Sequence, residues 1–183
     1  MRVYIPATLT MLTQLVADGA LRAVGNTAFA VTPALREAYA HGDDDELAEV
    51  ALREAALASL RLLGAAGDDP ADRTLPTRRA VLVADAADAT HRPDLDDAVV
   101  RLSGPVAIGD VVAAYVDTAA AESAVAAAMA VIDEADLGDE DAELTVGDAQ
   151  DHDLAWYATQ ELPFLLELLR PVGDPGRDGQ TPA

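Results

Sequence analysis

The sequence predicts a single α/β domain, with a mixed or mostly parallel sheet of about five to six strands flanked by helices. Short apolar runs alternate with segments of helical periodicity along the chain, which is the pattern of this class. The length of 183 residues suits one domain. Residues 170–183 are rich in Pro, Gly and Asp and lack apolar periodicity. We therefore expect one domain over residues 1–169 and a disordered tail over 170–183.

The first half of the chain predicts two strands and three helices. Residues 2–7 form a strand, and Thr8 or Thr10 caps a helix that ends at Gly19. Residues 27–31 form a second strand. Thr32 precedes Pro33, a residue favoured at the first helical position, so a helix over 33–40 follows.

A longer helix and a loop complete this half. Asp43 with Glu46 has the spacing of a capping box, which predicts a long helix reaching Gly64. Residues 64–77 are rich in Gly, Asp and Pro and predict an exposed loop.

The second half predicts further strands over 79–85, 98–102 and 113–116, with one helical turn over 108–112. Asp117 or Thr118 caps an Ala-rich helix that closes at Gly138. Residues 143–146 are predicted to form a sixth, edge strand. Asp151 or Asp153 opens a final helix, and Pro163 predicts a kink or restart of that helix over 160–162.

The composition excludes several classes of function. There are 33 acidic and 12 basic residues, all of the latter Arg, for a net charge of −21. Such a surface repels phosphate backbones and anionic lipids, so neither nucleic-acid nor membrane binding is expected. Basic partners or metal cations would be attracted, although high-GC codon usage or adaptation to salt gives the same acidity without a functional meaning.

Missing residue types narrow the chemistry further. Because the sequence contains no Cys, it excludes a disulfide, thiolate catalysis and a metal site with cysteine ligands. Without Lys there is no Walker-type phosphate loop. The first residues resemble a strand rather than a secretory signal, and no window approaches the roughly 20 apolar residues of a membrane helix. We expect a cytoplasmic protein, and no cofactor is predicted.

Three stretches resemble a known family: residues 1–8 (MRVYIPAT), 28–37 (AFAVTPALRE) and 156–161 (WYATQE). The sequence resembles a family of small, uncharacterised acidic proteins of high-GC actinobacteria, known only as a domain of unknown function. The resemblance covers residues 1–169. It implies a bacterial cytoplasmic protein and conveys no activity, ligand or catalytic residue.

The first candidate binding site contains Trp156, Tyr157, Gln160 and Glu161. On a helix, Tyr157, Gln160 and Glu161 are three and four residues apart, so they share a face that could line a polar pocket. Alternatively, the two aromatic residues belong to the core or to an interface, and Glu161 is solvated.

A second candidate site consists of residues that follow strands. Thr8, Thr32 and Asp117 each come between an apolar strand and a helix, where α/β proteins bind ligands at the carboxyl ends of parallel strands. Arg36 and Glu37 add charges near Thr32. The alternatives are helix caps for the first three residues and a mutual salt bridge for the last two.

Two acidic groups, residues 136–143 and residues 148–153 with His152, were considered as metal or catalytic sites. The first lacks the glycine position and terminal glutamate of an EF-hand loop. Solvated carboxylates and helix caps explain both groups, so no metal site is predicted.

The sequence thus favours a non-enzymatic protein-binding or adaptor domain that uses the region of Trp156. The alternative is a small enzyme or small-molecule binder with a polar cleft at the carboxyl ends of the strands. A deep pocket joining Thr8, Thr32, Tyr157 and Glu161 would favour the alternative, and a flat apolar patch would favour the adaptor. The sequence leaves the activity, the ligand and the oligomeric state open.

Overall fold

The structure, a computed structural model, describes residues 1–66 and 74–171. Within these ranges the strands are β1 (Arg2–Ala7), β2 (Ala20–Leu21), β3 (Thr27–Phe29), β4 (Ala80–Asp85), β5 (Ala89–His91), β6 (Val99–Leu102), β7 (Val106–Ala107), β8 (Val111–Val116) and β9 (Ala155–Ala158). The α-helices are α1 (Leu9–Asp18), α2 (Pro33–Ala38), α3 (Asp44–Ala65), α4 (Glu122–Asp136), α5 (Glu140–Gln150) and α6 (Leu162–Leu169). The predicted tail lies outside the described residues from 172 onward, as do residues 67–73 of the predicted loop.

The main sheet has seven strands in the order β5-β6-β3-β1-β4-β8-β9, and every neighbouring pair is antiparallel. Strands β2 and β7 pair separately as a small antiparallel ribbon. The chain combines helices and strands as expected, but β4 to β8 follow one another without an α-helix between them, and the prediction of a mixed or mostly parallel sheet of five to six strands is wrong.

The antiparallel arrangement follows from how the chain returns between strands. A single helix crossing the sheet leads to a parallel strand. Between β8 and β9, however, α4 and α5 form a helical hairpin, so the chain returns to the end of the sheet that it left. Val116, the last residue of β8, therefore lies opposite Ala155, the first residue of β9.

The helical hairpin also corrects the predicted strand over 143–146, which lies inside α5. Asp139 caps this helix, and its side chain accepts a hydrogen bond from the backbone N–H of Ala142. Ala142, Val146 and Ala149 are buried. Their spacing of three and four residues is that of a helix face rather than a strand.

The predicted final helix from Asp151 or Asp153 is wrong in its first half, because residues 155–158 form β9. Aromatic residues favour strands, and two of the four residues of β9 are aromatic. Gln160 and Glu161 lie in the 3-10 turn Thr159–Glu161, and α6 begins only at Leu162, with Pro163 in its first turn. The helical face expected to join Tyr157, Gln160 and Glu161 does not exist.

The helix starts of the first half are confirmed. Thr8 caps α1, which ends at Gly19 in the left-handed conformation (φ 76°) that favours glycine. Thr32 caps α2, and Asp43 with Glu46 forms the predicted capping box of α3. The helical turn expected near residue 108 is the 3-10 turn Ile108–Asp110.

Helices cover both faces of the main sheet. The side chains of α1, α6 and the β2–β7 ribbon pack on one face, against Ile5, Leu82 and Val100. Helix α3 packs on the other face, against Phe29, Val81 and Val99. The hairpin of α4 and α5 packs against the later part of α3.

Helices α3 and α4 approach each other closely. A Cβ atom on Gly64 would come within 2.8 Å of Cγ2 of Ile132, so glycine permits this contact. None of the helices in the described ranges is long and apolar enough to cross a lipid bilayer.

The row Ala7, Ala80, Val116 and Ala155 runs across four neighbouring strands and defines what we call the upper end of the sheet. Strands β1 and β8 end there, and β4 and β9 begin there. The segments that flank this row carry most of the buried polar side chains of the domain.

Candidate functional site

A buried ion pair joins the beginning of β4 to the end of β8. The guanidinium of Arg79 donates from Nε to Oδ2 of Asp117 at 2.8 Å and from Nη2 to Oδ1 at 2.8 Å. The side chains are 2% and 0% exposed. The backbone N–H of Arg79 also donates to Oδ2 of Asp117 at 2.8 Å. Buried charges are tolerated when they are paired and hydrogen-bonded in this way.

Further hydrogen bonds connect this pair to its surroundings. Nη2 of Arg79 donates to the backbone carbonyl of His152 at 2.8 Å, in the segment that leads from α5 into β9. Arg78 donates to the carbonyl of Asp117 at 3.1 Å and to the carboxylate of Glu122 at 2.9 Å. Two successive arginines therefore fix β4, β8, the start of α4 and the entry to β9 relative to one another.

Ser59 connects α3 to the same end of the sheet. Its hydroxyl donates to the carbonyl of Ala7 at 2.7 Å and accepts from the backbone N–H of Ala80 at 3.0 Å. The serine is fully buried. It satisfies backbone groups at the ends of β1 and β4 that the sheet itself does not pair.

A cleft of about 650 Å³ opens beside this network, between α3 and the segment that enters β9. Its wall on α3 lies between Glu49 and Ala56, its opposite wall consists of residues 150–154, and Arg79 lies between them. Leu52, Ala56 and Leu154 supply apolar surface. The residues that the sequence-based alternative expected around a polar cleft, Thr8, Thr32, Tyr157 and Glu161, do not line it.

Carboxylates dominate the charge of the cleft. Glu49 pairs with Arg53 at 3.1 Å. Within the described part of the chain, the side chains of Asp151 and Asp153 make no ion pair or hydrogen bond. Desolvation raises the pKa of Glu54, and the nearby charge of Asp96 raises it further, against a smaller lowering by Arg61.

Arg79 brings one unused donor to the cleft. Its Nη1 has no hydrogen-bond partner among the described residues, whereas Nε and Nη2 are fully occupied. Arg79 lines the cleft, and its side chain is only 2% exposed.

Strand β9 forms one margin of the main sheet. The backbone N–H of Ala158 donates to Oε2 of Glu161 at 2.8 Å rather than to β8. Because the direction of hydrogen bonding alternates along an antiparallel strand, the backbone groups of Trp156 also face away from β8. Trp156 is 57% exposed, whereas Tyr157 projects from the other face and packs partly against the core.

The structure separates the candidate residues that follow strands. Thr8 lies at the upper end, where its hydroxyl accepts from the backbone N–H of Met11 at 3.2 Å. Thr32 lies beyond the other end, since Phe29 is opposite Tyr4. It accepts from the N–H of Leu35 at 3.1 Å and donates to the carbonyl of Asp97. Both threonines therefore act as helix caps.

The remaining candidates are dispersed. Arg36 pairs with Asp44 rather than with its neighbour Glu37, which is exposed. Gln160 is exposed in the 3-10 turn, and Glu161 caps the N–H of Ala158. Trp156 and Tyr157 occupy opposite faces of β9. No single pocket in the described residues collects these side chains.

Two carboxylates of the first acidic group, Asp136 and Asp139, have structural roles. Asp136 forms two hydrogen bonds of 3.0 Å with Arg61, which lower the pKa of Asp136. Asp139 caps α5. Among the described residues there is no group of three or more His, Asp or Glu side chains that could hold a metal ion.

Sequence reasoning missed Arg78, Arg79 and Ser59, and it took Asp117 for a helix cap. One signal was present: two arginines directly precede the wholly apolar run 80–84, and an aspartate directly follows another apolar run. A charge at the end of a buried strand needs a partner at the same end of the neighbouring strand.

Comparison with known proteins identifies a family without assigning a function. No curated protein and no solved structure matches the chain. The family of unknown function DUF6912 matches residues 1–166, which include all strands of the main sheet and the cleft. This match confirms the expected resemblance to a domain of unknown function. The chain therefore belongs to the DUF6912 family.

Proposed function

We propose that this domain binds another protein by accepting an extended segment of that protein as an additional strand beside β9. The observation that carries this proposal is the exposed position of Trp156 on a marginal strand whose outer backbone groups have no strand partner among the described residues. A marginal strand with unpaired N–H and C=O groups is a template for such pairing. Glu161 covers the N–H of Ala158, which leaves the backbone of Trp156 open.

The exposed indole supports the same proposal. Trp is among the residues that contribute most to protein interfaces, because it buries a large apolar area and still donates a hydrogen bond. An exposed Trp on a strand margin also gives the incoming strand a cross-strand neighbour. This is the adaptor role favoured by the sequence, with the contact residue on a strand rather than on a helix.

The charge of the domain specifies a basic partner. The net charge is −21, and β9 is flanked by Asp151 and Asp153 before it and Glu161 after it. In an antiparallel pair of two β9 strands, Asp153 of one copy would approach Glu161 of the other, which is unfavourable. A basic segment is attracted instead, whereas nucleic acids and anionic lipids are repelled. We place this interaction in the bacterial cytoplasm, the compartment that the sequence predicts.

Selection of random decapeptides on the purified full-length protein tests the proposal. The affinity of the selected peptides is then measured by isothermal titration calorimetry for every variant, and in the wild-type protein the fluorescence of Trp156, the only Trp, reports the contact. We expect Trp156→Ala to weaken binding by about tenfold or more, as for interface anchors. The matched control is Phe164→Ala, which removes another exposed aromatic side chain, 71% exposed, from α6.

A second variant tests the strand pairing. Ala158 has φ −66° and ψ 152°, which proline adopts without strain, and its N–H faces away from β8. Ala158→Pro should therefore fold, and its ring, which replaces the N–H on the outer side of β9, should obstruct an added strand beside Trp156. Selected peptides that bind both variants as tightly as wild type would overturn the proposal. A folded domain that selects no peptide would also overturn it, in favour of the small-molecule alternative.

A further inference from the structure

We infer that the cleft beside β9 receives the side chain of one arginine or lysine from the strand that pairs with β9. This inference rests on the proposed function and adds a specificity rule to it. The cleft lies next to the beginning of β9, because Leu154 lines the cleft and is followed directly by the first residue of β9.

The geometry of an added strand fixes which side chains reach the cleft. Leu154 and Trp156 are two residues apart, so they project from the same face of the sheet, the face on which α3 packs. A strand beside β9 would lie about 4.8 Å further out, with alternate side chains on that face. A long side chain at the level of Asp153 extends from there into the cleft.

The charges of the cleft match a cationic end group on an apolar stem. Asp151 and Asp153 have no ionic partner in the described residues and are free to pair with a cation. Leu52, Ala56 and Leu154 offer apolar surface to the methylene groups of an arginine or lysine. An anionic or wholly apolar side chain would leave these carboxylates desolvated and unpaired.

Arg79 provides independent support. It lines the cleft and is only 2% exposed, and its Nη1 has no hydrogen-bond partner in the described residues. A backbone carbonyl oxygen of the bound segment is the acceptor that this N–H lacks. Because Asp117 neutralises the guanidinium with two hydrogen bonds, Arg79 does not repel the incoming cation. The cleft thus combines one fixed donor with several carboxylate acceptors, as an extended basic peptide requires.

The test uses peptides selected on the wild-type protein. Each arginine is replaced in turn by citrulline, which has the same shape without the charge, and each lysine by norleucine. We expect one position, on the face that carries the cleft, at which the replacement weakens binding by about tenfold or more. The protein variant D151N/D153N should lose the ability to distinguish arginine from citrulline at that position.

The control variant D133N/E134Q removes the same charge from exposed positions of α4. It should retain the discrimination between arginine and citrulline. If both variants lost this discrimination equally, the effect would come from the net charge of the protein and not from the cleft, and the inference would be overturned. Peptides that bind equally well with citrulline at every position would also overturn it. Their binding would still be sensitive to Ala158→Pro, which leaves the proposed function standing.

Discussion

Strands β4 and β9 begin at the same end of the sheet but differ in how their polar groups are satisfied. At the beginning of β4, Nε and Nη2 of Arg79, the carboxylate of Asp117 and the N–H of Ala80 find partners inside the protein. Along the outer side of β9, Glu161 covers one N–H and the backbone of Trp156 is left open. The difference follows from position, since β4 has strands on both sides and β9 on one.

This comparison separates what folds the domain from what remains for recognition. Unpaired polar groups in the interior are costly, so a charge beside the central strands requires a complete set of partners. At the margin of the sheet water satisfies the same groups, and another protein can replace that water. We therefore expect substitutions around β4 to change stability and substitutions on β9 to change binding.

The largest effect is expected from Asp117→Asn, which leaves the buried charge of Arg79 without its counter-ion. Unfolding by urea should show a loss of about 3–5 kcal/mol, as for other broken buried pairs. The control is Asp136→Asn, which breaks the exposed pair with Arg61 and should cost less than about 1 kcal/mol. Similar losses in the free energy of unfolding for the two variants would show that the buried pair is no more important for stability than the exposed pair.

Ser59→Ala should have the next largest effect. It leaves the N–H of Ala80 and the carbonyl of Ala7 without their buried partner. We expect a loss of about 1–3 kcal/mol in the free energy of unfolding. Ser123→Ala, at an exposed position of α4, is the matched substitution and should be nearly neutral. A cost for Ser59→Ala no greater than that of the control would show that these backbone groups are satisfied in another way.

Trp156→Thr tests the other side of the comparison. Threonine keeps a high preference for strands and removes the half-exposed indole. The free energy of unfolding should change by about 1 kcal/mol or less, since the residue lies largely at the surface. A loss as large as that of Ser59→Ala in the same urea titration would mean that Trp156 belongs to the folding core.

The smallest effect concerns Glu54 in the cleft. Desolvation raises its pKa in the folded state, so its contribution favours folding below the unfolded pKa and is lost as pH rises through the folded value. Glu54→Gln should therefore stabilise the protein at pH 7, by up to about 1 kcal/mol, and give no gain at low pH. Urea titrations at both pH values measure this, and an equal gain at both would exclude the ionisation of Glu54 as its cause.

Local signals in the sequence were sufficient for much of the fold. The caps Thr8, Thr32 and Asp43 and the apolar run of β4 depend on neighbouring residues, and the structure confirms them. Whether two strands run parallel or antiparallel depends on the number of helices that connect them. Residues 143–146 were predicted as a strand although they belong to α5. The prediction therefore lacked the second helix of the hairpin between β8 and β9.

The candidate site was harder to predict because its residues come from distant segments. Ser59, Arg79, Asp117 and His152 meet only once the strand order is known. Trp156 was identified from its residue type, but on a strand rather than a helix. Short aromatic segments are compatible with either element, and the pairing of β9 with β8 decides between them.

The central place of β1 has a consequence for synthesis. Its residue Arg2 lies opposite Asp85, a separation of 83 residues along the chain. On the ribosome, β1 is synthesised long before β4, so its second side stays uncovered until β4 has emerged. Pairings of such long range slow folding and leave nascent strands open to aggregation. We expect refolding to be limited by the joining of β1 to β4, and the early chain to depend on chaperones until residue 85 has emerged.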